Sequence, residues 1–416
     1  MYNLQKNKIQ FPVFFKKDLH LKKKQMNASL IITVCSLLLL AYVFDVTSSK
    51  TRIPSVILLL ALGWFVKQGT VLLNIPIPNL EPTLPLIGTI GLILIVLDGS
   101  LDLELKKENY TLIGKSAIVA IVPMLLLSFG IAQAIYYYDA SISFKDSLAN
   151  AIPISVISSA VAISSAKNLI HSQKEFITYE SSLSDIFGVI LFNFITLHNE
   201  IDVVSFGYFF LDLLLILLIS FVATVGLAFL LSRIKHKVKF APIIILLILI
   251  YYISKVYHLP ALIFILLFGL LVGNLDELKH FKFVEKLQPE ILNKEIQKFR
   301  ELTTEFTFLI RTLFFILFGF LIKTNELLNQ ETIVWSLAIT TTIFVIRAII
   351  LKVVKLDLAP LLYISPRGLI TILLFLSIPL SQSSELVSNS LIIQIVILTA
   401  LFMMFGLMFS KNKSTS

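Results

Sequence analysis

The stretch Glu180-Ser-Ser-Leu-Ser-Asp185 opens a long apolar segment that runs from Tyr179 to Leu197 and is predicted to cross a membrane. A charged side chain at the centre of a membrane helix costs about 2.5–3.5 kcal/mol even on insertion scales. Acids kept at that cost usually serve a function, most often on an ion or proton path. Five residues apart, Glu180 and Asp185 point about 140° apart around a helix. They are therefore expected to face different partners.

The composition identifies the broad class of protein. Of the 416 residues, 57% are hydrophobic and 15% are charged, and the mean hydropathy is +0.90. A polytopic helical membrane protein has such a composition, whereas soluble globular classes do not. The single cysteine, Cys35, excludes a disulfide framework and a cysteine-built metal site. The positive charges behind the net charge of +9 lie in short loops between apolar segments, which indicates membrane topology and not a nucleic-acid partner.

About thirteen apolar segments are predicted to cross the membrane, so the expected fold is an all-α polytopic membrane protein. Their approximate bounds are 28–44, 53–72, 84–100, 113–138, 147–166, 179–197, 206–232, 240–257, 259–273, 306–322, 332–351, 359–378 and 390–409. With the N-terminal end of the first helix outside, twenty lysines and arginines fall in cytoplasmic loops and four in outer loops, as the positive-inside rule requires. The loop 274–304 alternates charged and apolar residues, which predicts an amphipathic helix on the inner membrane face.

The N-terminal residues 1–25 form a basic extension. They carry seven lysines, which the predicted topology places outside, against the positive-inside rule. Met26 directly precedes the first apolar run, so a translation start at Met26 and a dispensable extension are both open explanations. The transmembrane domain is expected to span residues 26–409, and residues 410–416 are expected to form a short cytoplasmic tail.

The fifth segment carries Pro153 and three serines at helical spacing, Ser155, Ser158 and Ser159. Two interpretations are open. On a continuous helix the serines would share one face and favour close packing against a neighbouring helix. In a locally opened helix, their hydroxyls and the freed backbone carbonyls would suit the coordination of a cation.

A second interruption, Ile364-Ser-Pro-Arg-Gly-Leu369, lies in the twelfth segment. The fifth and twelfth segments are seven apart, and an odd offset reverses orientation in the membrane. They would therefore correspond to each other in two inverted-topology repeats. Interrupted segments at matching positions of two repeats indicate a transport site near the middle of the membrane.

Arg347 lies in the eleventh apolar segment and needs an acidic partner there. The candidates are Glu180, Asp185 and Asp98. Pairing with Glu180 would leave Asp185 free to face a cavity, in agreement with the angular argument. The same pair could equally serve only to hold two helices together. Asp98 is expected near the inner interface, and Arg311, near a segment end, is expected to extend its charge toward water.

These residues resemble the motifs of a known family, the sodium/proton exchangers of the monovalent cation:proton antiporter superfamily. Glu180 to Asp185 resembles the family's Glu-Ser-Leu-Leu-Asn-Asp motif, and Pro366-Arg-Gly resembles its Leu-Arg-Gly motif. Arg347 falls where the family carries an arginine that pairs with the motif glutamate. Two further stretches resemble family signatures, Leu94-Ile-Val-Leu-Asp-Gly and Phe314-Phe-Ile-Leu-Phe-Gly. The resemblance covers nearly the whole chain from Met26.

The resemblance implies a thirteen-helix fold with two crossed broken helices. Core helices would lie at about 113–197 and 332–409, and dimerisation or scaffold helices at about 28–100 and 240–322. The implied activity is exchange of Na⁺ or a similar cation for H⁺ by an elevator-like movement. The implied assembly is a homodimer in the cell membrane, expected to be the inner membrane of a bacterium.

The same resemblance assigns roles to individual residues. Asp185 would be the carboxylate that binds the transported cation or the proton, and Glu180 and Arg347 would be its structural ion pair. The further residues expected to contribute are the serines Ser155, Ser158, Ser159 and Ser184 as ligands and Arg367, Asp98 and Arg311 as support. No cofactor is expected.

Two departures from the family pattern concern the choice of cation. Ser184 precedes Asp185 where the family has Asn or a second Asp. Ser158-Ser159-Ala160 stands where sodium exchangers usually have Thr-Asp-Pro, and it is more similar to the Ser-Ser-Thr stretch of the potassium-efflux branch. A carboxylate expected near the cation is therefore missing. Na⁺ is the first expectation, with K⁺ and Li⁺ as alternatives.

A single acid predicts the mechanism of exchange. Burial disfavours the ionised form of a carboxyl group, whereas a cation binds only that form, so proton and cation would compete at Asp185. Alternating access of a site that never crosses empty would then exchange one cation for one proton without net charge movement. No ATP-binding motif is present, and none of the six histidines pairs with another as metal ligands do.

Other classes of function remain open at the level of sequence. An anion or organic-solute symporter on a related inverted-repeat fold would need cationic residues in its site, and Arg311 or Arg367 could serve. A non-transporting sensor would agree with the missing second acid. An intramembrane enzyme is disfavoured, because no histidine lies deep in an apolar segment.

Overall fold

The fold is built from α-helices, as the composition predicts. The computed structural model describes residues 33, 35–47, 53–75, 77, 79–103, 110–139, 141–166, 169–197, 203–233, 240–257, 259, 261–274 and 289–410. The basic extension 1–25, Met26, the loop residues 275–288 and the tail residues 411–416 lie outside this part of the chain. Within the described residues there is no β-strand.

The helices follow one another along the chain with short connections. Their bounds are α1 (Cys35–Thr47), α2 (Ser55–Leu72), α3 (Thr83–Asp102), α4 (Tyr110–Tyr138), α5 (Phe144–Ser155), α6 (Ser159–Ser165), α7 (His171–Leu197), α8 (Val203–Arg233), α9 (Phe240–Val256), α10 (Ala261–Gly273), α11 (Pro289–Leu321), α12 (Gln330–Val353), α13 (Leu369–Leu376) and α14 (Asn389–Phe409). A single helical turn at Thr324–Leu327 precedes α12, and 3-10 turns occur at Leu361–Tyr363 and Leu380–Gln382.

Many of these helices have the length and composition of membrane spans. Seven stretches of the described residues are long and apolar enough to cross a membrane, with α5 and α6 counted together as Phe144–Ser165. Shorter apolar helices include α1, α9, α10 and a part of α8. The prediction of an all-α polytopic membrane protein is confirmed.

The helices pack in two groups. In the first group, named the scaffold group here, α11 packs on α2 and α3, and α10 packs on α3, α8 and α9. Helix α1 joins this group through the edge-to-face contact of Tyr42 with Phe308 of α11. In the second, the core group, α4 packs on α5, α7 and α12, and α7 packs on α5 and α6. Helices α13 and α14 belong to it through α5 and α12. Helix α3 borders both groups, because it also contacts α6, α7 and α13.

Two glycines bring scaffold helices α2 and α11 into backbone contact. A Cβ atom on Gly63 would collide with the backbone of Ile316 and Phe320, and one on Gly319 would collide with the backbone of Leu60. Small residues at such positions let membrane helices approach closely, so that dispersion contacts replace the hydrophobic effect that lipid does not supply. This contact packs α2 tightly against α11 within the scaffold group.

Two helices begin earlier than hydropathy predicts. Helix α7 begins at His171 instead of residue 179, and α11 begins at Pro289 instead of residue 306. The described part of the predicted amphipathic loop is therefore the first half of a continuous 33-residue helix. Hydropathy marks the interval that lies in lipid, whereas polar turns that continue a helix beyond that interval carry no such signal.

Candidate functional site

The fifth predicted segment is a broken helix. Helix α5 ends at Ser155, Val156 and Ser158 have extended backbone angles, and α6 begins at Ser159. Pro153 lies in the last turn of α5 and has no N–H to donate to the helix. The continuous helix with three serines on one face is therefore wrong, and the opened helix is the arrangement found. Ser155 closes α5, Ser158 lies in the link, and Ser159 opens α6.

The twelfth predicted segment is interrupted in the same way. Residues 364–368 lie between the 3-10 turn Leu361–Tyr363 and helix α13 and form no helix. The two interruptions cross each other, because the N–H of Ser158 donates to the carbonyl of Pro366 over 2.9 Å. The crossed broken helices predicted from the sequence are therefore present.

Arg367 joins the two crossing interruptions through hydrogen bonds. Its Nε donates to the carbonyl of Ile154 (2.7 Å) and its Nη2 to the carbonyl of Ser155 (3.0 Å). Its Nη1 donates to the carbonyl and the hydroxyl of Ser365, both at 2.8 Å. Carbonyls at the C-terminal end of a helix have no partner within the helix. The guanidinium supplies partners to two of those on α5, and in this arrangement it has a structural role.

Glycines allow the broken segments to come close. A Cβ atom on Gly368 would meet the side chains of Ser158 and Val161, and one on Gly188 of α7 would collide with the side chain of Val156. The link of the first broken helix is thus packed directly against the backbone of the second interruption and of α7. This packing places the link beside the acid-bearing turns of α7.

Asp185 faces the break in the first helix. Its carboxylate is 3% exposed, and its Oδ2 accepts hydrogen bonds from the hydroxyl and the backbone N–H of Ser159, the latter over 3.3 Å. Its other oxygen, Oδ1, is buried without a hydrogen-bond partner among the described residues, and so is the hydroxyl of Ser158. Buried polar atoms without partners are rare and costly. Asp185 therefore has one acceptor that no described protein group satisfies and to which a proton or a cation could bind.

The remaining predicted serines serve the backbone. The hydroxyl of Ser184 accepts the N–H of Ile157 in the link over 3.0 Å. The hydroxyl of Ser155 donates to the carbonyl of Ala151 over 3.0 Å within α5. Ser159 thus contacts Asp185 directly, and Ser184 holds the link in place. The ligand role expected for these serines stays a prediction.

Glu180 is bound to Arg347. Nη2 of Arg347 lies 2.9 Å from Oε2 of Glu180, Nη1 contacts Oε1, and both side chains are buried. Nε and Nη2 of Arg347 also donate to the carbonyl of Leu361 over 3.0 and 2.8 Å. The two-point pair joins α7 to α12 and to the turn before the second interruption. Asp185 is not part of this pair.

Among the described residues, Asp98 and Arg311 form their hydrogen bonds with groups other than Asp185, Glu180 and Arg347. Oδ1 of Asp98 accepts the hydroxyl of Thr304 over 2.6 Å. Nη1 of Arg311 donates to the carbonyl of Ala160 over 3.2 Å, and its Nη2 lies 3.6 Å from Oδ1 of Asp45. The expectation that Arg311 extends toward water from a segment end is wrong. Because α11 begins at Pro289, Arg311 lies well inside the helix and turns toward protein groups.

Asp45 is an acidic residue that the sequence reading missed. It lies in α1, directly after the apolar run that hydropathy predicts to end at residue 44. An acid within one turn of an apolar segment is itself a signal, since such residues usually have partners inside the protein. Extending the predicted first segment by a few residues would have identified Asp45 as a partner for a buried arginine.

A cavity lies between the two helix groups. Its volume is about 380 Å³, and residues of α3, α7, α9, α10 and α13 line it. Its polar lining residues are Thr89, Asn193, Thr196, Lys255 and Ser377. The lining part of α7 begins at Val189, one helical turn beyond Asp185. The cavity therefore approaches the site from the C-terminal end of α7.

The donor set suits a transported cation better than a resident metal ion. Among the described residues, no three His, Cys, Asp or Glu side chains come together. The groups at the break are one carboxylate, serine hydroxyls and backbone carbonyls. Oxygen donors of this kind match hard cations. The site thus offers one negative charge, which either one proton or one monovalent cation can neutralise.

The match to known proteins agrees with this geometry. A model of the family described as "Sodium/hydrogen exchanger, transmembrane" matches residues 34–411. The chain belongs to the sodium/hydrogen exchanger family. The resemblance stated from the motifs is thereby confirmed, and the chain is a multi-pass membrane protein of a transporter family and not an enzyme. Membership supports cation/proton antiport.

Solved structures resemble this family member in fold. Two structures of the sodium proton antiporter MjNhaP1 from Methanocaldococcus jannaschii are similar to it, with TM-scores of 0.62 and 0.63 and sequence identities of 16% and 17%. The matches cover 91% and 92% of this chain and 94% of each antiporter chain. At this identity the likeness shows a shared fold alone. No curated protein matches the chain.

Proposed function

We propose that the protein exchanges one monovalent cation for one proton across the cell membrane, with Asp185 as the shared site. One observation carries the proposal. Oδ1 of Asp185 is buried beside the break in the α5–α6 helix and has no hydrogen-bond partner among the described residues. The ionised form of a carboxylate in that position is costly without a positive partner, and either a proton or a bound cation removes that cost.

Competition at one carboxylate leads to exchange. A buried charge without a counter-charge is strongly disfavoured, so Asp185 would cross the membrane either protonated or bound to a cation. The proton and the cation each bring one positive charge to the same site. The proposed cycle is therefore electroneutral, with one cation moving against one proton.

Hydroxyl groups would complete the cation site. The hydroxyl of Ser158 is buried and has no hydrogen-bond partner in the described part of the chain, and Ser159 already contacts Asp185. Neither supplies a second negative charge, and Ser184 is engaged by the backbone of Ile157. Na⁺ remains the first choice because of the family, with K⁺ and Li⁺ as the alternatives.

Alternating access would move the core group against the scaffold group. The core group, including α4–α7 and α12–α14, carries the crossed helices, and the cavity of about 380 Å³ lies at its border with the scaffold group. In this scheme the helices α1–α3 and α8–α11 form the fixed scaffold and the dimer contact of a homodimer. We place the protein in the inner membrane of a bacterium.

The anion or organic-solute symporter is less well supported. It needs a cationic side chain available to a substrate. Arg367 donates four hydrogen bonds to the backbone and side chain around the crossing. Arg311 donates to Ala160 and pairs with Asp45. Neither guanidinium is available without breaking the contacts that hold the broken helices.

Proton flux in proteoliposomes tests the proposal. Purified protein is reconstituted with a pH-sensitive dye inside, and Li⁺, Na⁺ and K⁺ are added in turn. We expect alkalinisation on addition of at least one cation, no effect of an imposed membrane potential on the rate, and loss of flux in Asp185→Asn. A matched control is Asp146→Asn, which changes an acid in the first turn of α5 far from the break.

Each outcome has a defined meaning. Flux that survives in Asp185→Asn contradicts the site. Flux that depends on the membrane potential contradicts the one-to-one stoichiometry. Flux stimulated by organic anions and not by cations supports the symporter instead, and absence of any coupled flux in the intact protein supports a sensor.

A further inference from the structure

We propose that Arg311 is a positioning residue that ties the scaffold group to the first turn of α6 and stabilises the state in which the cavity is open. This inference rests on the proposed exchange function, because the tie would have to break during alternating access. It assigns Arg311 a role apart from the cation site and apart from the Glu180–Arg347 pair.

The contacts of Arg311 cross the border between the two groups. Arg311 belongs to α11, which packs on α2 and α3. Its Nη1 donates to the carbonyl of Ala160 in α6 over 3.2 Å, and the side chain is 14% exposed. Ala160 directly follows Ser159, whose hydroxyl and N–H hold Asp185. One hydrogen bond thus joins the scaffold to the turn that carries the partner of the site acid.

The other side of the guanidinium is held within the scaffold. Nη2 of Arg311 lies 3.6 Å from Oδ1 of Asp45 in α1, and α1 packs on α11 through Tyr42 and Phe308. The charge of Asp98 in α3 also acts on Arg311. When the core group moves, the guanidinium of Arg311 can therefore stay close to Asp45 and Asp98 while its hydrogen bond to the carbonyl of Ala160 breaks.

Hydrogen bonds fix α11 to α3, so the two helices would move as one body. The hydroxyl of Thr307 donates to the carbonyl of Leu94 over 3.2 Å, and the hydroxyl of Thr304 donates to Asp98 over 2.6 Å. Because these bonds lie inside the scaffold group, a movement of α6 cannot carry α11 with it without breaking them. The hydrogen bond from Arg311 to Ala160 is therefore one of the contacts that a relative movement of the two groups would break.

The tie and the cavity lie toward opposite ends of α3. The cavity is lined by Pro85, Thr89 and Leu92. The α3 acid whose charge acts on Arg311 is Asp98, and a Cβ atom on the next residue, Gly99, would lie 3.1 Å from the hydroxyl of Ser182 in α7. The hydrogen bond between Arg311 and Ala160 thus joins the two helix groups on one side of the site. On the other side of the site, the cavity separates the same two groups. A protein without the tie should spend less time with the cavity open.

The test reads accessibility of the cavity directly. Cys35→Ser removes the single cysteine of the chain, and Asn193→Cys then places a thiol at a half-buried position of the cavity lining. The labelling rate by a membrane-impermeant maleimide is measured on purified protein with and without Arg311→Gln. We expect a fall of roughly tenfold, as loss of one hydrogen bond from a charged donor implies. A thiol at the exposed loop residue Ser141 is the control and should label equally in both backgrounds.

The conservative variant and transport kinetics complete the test. Lysine keeps the charge near Asp45 but has no planar fork to reach Ala160 at the same time, so Arg311→Lys should give an intermediate labelling rate. Transport by Arg311→Gln should show a changed maximal rate with an unchanged KM for the cation.

The results separate the two proposals. Unchanged labelling in both Arg311 variants overturns the tie, and a changed KM alone replaces it with a role in cation binding. If Arg311→Gln does not fold, the labelling of Arg311→Lys decides. Labelling does not require transport, so a wild-type protein without cation-coupled flux would contradict the proposed function and still show whether the tie exists.

Discussion

Two acids lie five residues apart in α7 and have opposite surroundings. Glu180 meets a guanidinium through both of its oxygens, and that guanidinium is held in turn by the carbonyl of Leu361. Asp185 has one oxygen bonded to Ser159 and the other without a partner among the described residues. Both are buried to a similar extent, at 1% and 3% exposure. The difference between them lies in their partners and not in their depth.

The difference in bonding suggests different roles for the two acids. A buried ion pair with all of its atoms bonded has no reason to exchange protons or ions, and it joins α7 to α12. A buried carboxylate with an open oxygen gains stability whenever a proton or cation arrives. One helix thus carries Glu180, which is bound to Arg347, and Asp185, to which the proposed function assigns the binding of the transported ions.

The largest expected effect on stability comes from removing the counter-charge of Arg347. Glu180→Gln leaves the buried charge of Arg347 without its counter-charge, which should cost about 3–5 kcal/mol in the free energy of unfolding. Asp185→Asn removes a carboxyl group that has no counter-charge among the described residues, so it should leave stability unchanged or raise it. Thermal unfolding in detergent compares the two variants. Equal stability of Glu180→Gln and wild type would refute the structural role of the pair.

An intermediate effect should follow from removing the hydrogen bond that Ser159 donates to Asp185. Ser159→Ala removes the hydroxyl that donates to Asp185. A hydrogen bond to a charged group contributes about 1.5–3 kcal/mol, and the ionised form that binds the cation depends on it more than the protonated form does. The KM for the cation should rise roughly tenfold, at about 1.4 kcal/mol per factor of ten.

A matched serine on α7 controls for this change. Ser181 is buried, but its hydroxyl donates to the carbonyl of Ile177 within its own helix. Ser181→Ala should leave the KM unchanged. A rise of similar size in both variants would mean that the effect comes from packing of α7 and not from Asp185.

A further effect on stability, smaller than that of Glu180→Gln, concerns Ser184, the serine beside Asp185. Ser184→Ala leaves the N–H of Ile157 without its acceptor, which should cost about 1–3 kcal/mol in the free energy of unfolding. Ser182→Ala removes a hydroxyl that is buried without a partner among the described residues, so it should be neutral or stabilising. Chemical denaturation in detergent resolves the pair. Equal costs would show that Ser184 does not hold the link.

Local sequence rules predicted the helix breaks and the Glu180–Arg347 pair, but not every contact around them. The angular separation of Glu180 and Asp185 anticipated that only one of them meets Arg347, because the period of a helix fixes that relation. Pro153 and Pro366-Arg-Gly indicated both interruptions. The contacts of Arg311 with Ala160 and Asp45 depend on how three distant helices pack, and neither hydropathy nor spacing carries that information.

The helix boundaries show a second limit of sequence reading. The starts of α7 and α11 were placed too late because their first turns are polar. For Arg311 the error changed the interpretation, since a residue assigned to a segment end lies inside a 33-residue helix. The open oxygen of Asp185 was also beyond sequence reading, because satisfaction of a buried atom depends on every neighbour in three dimensions.

Proton release on cation binding tests the central claim most directly. Detergent-purified protein in weak buffer is mixed with NaCl, KCl or LiCl at a series of pH values, and released protons are counted with a pH indicator. The account predicts a release that approaches one proton per protein at the pH where the acid is protonated without cation, and no release from Asp185→Asn. Release that persists in Asp185→Asn, or cation binding by wild type without proton release at any pH, would contradict it.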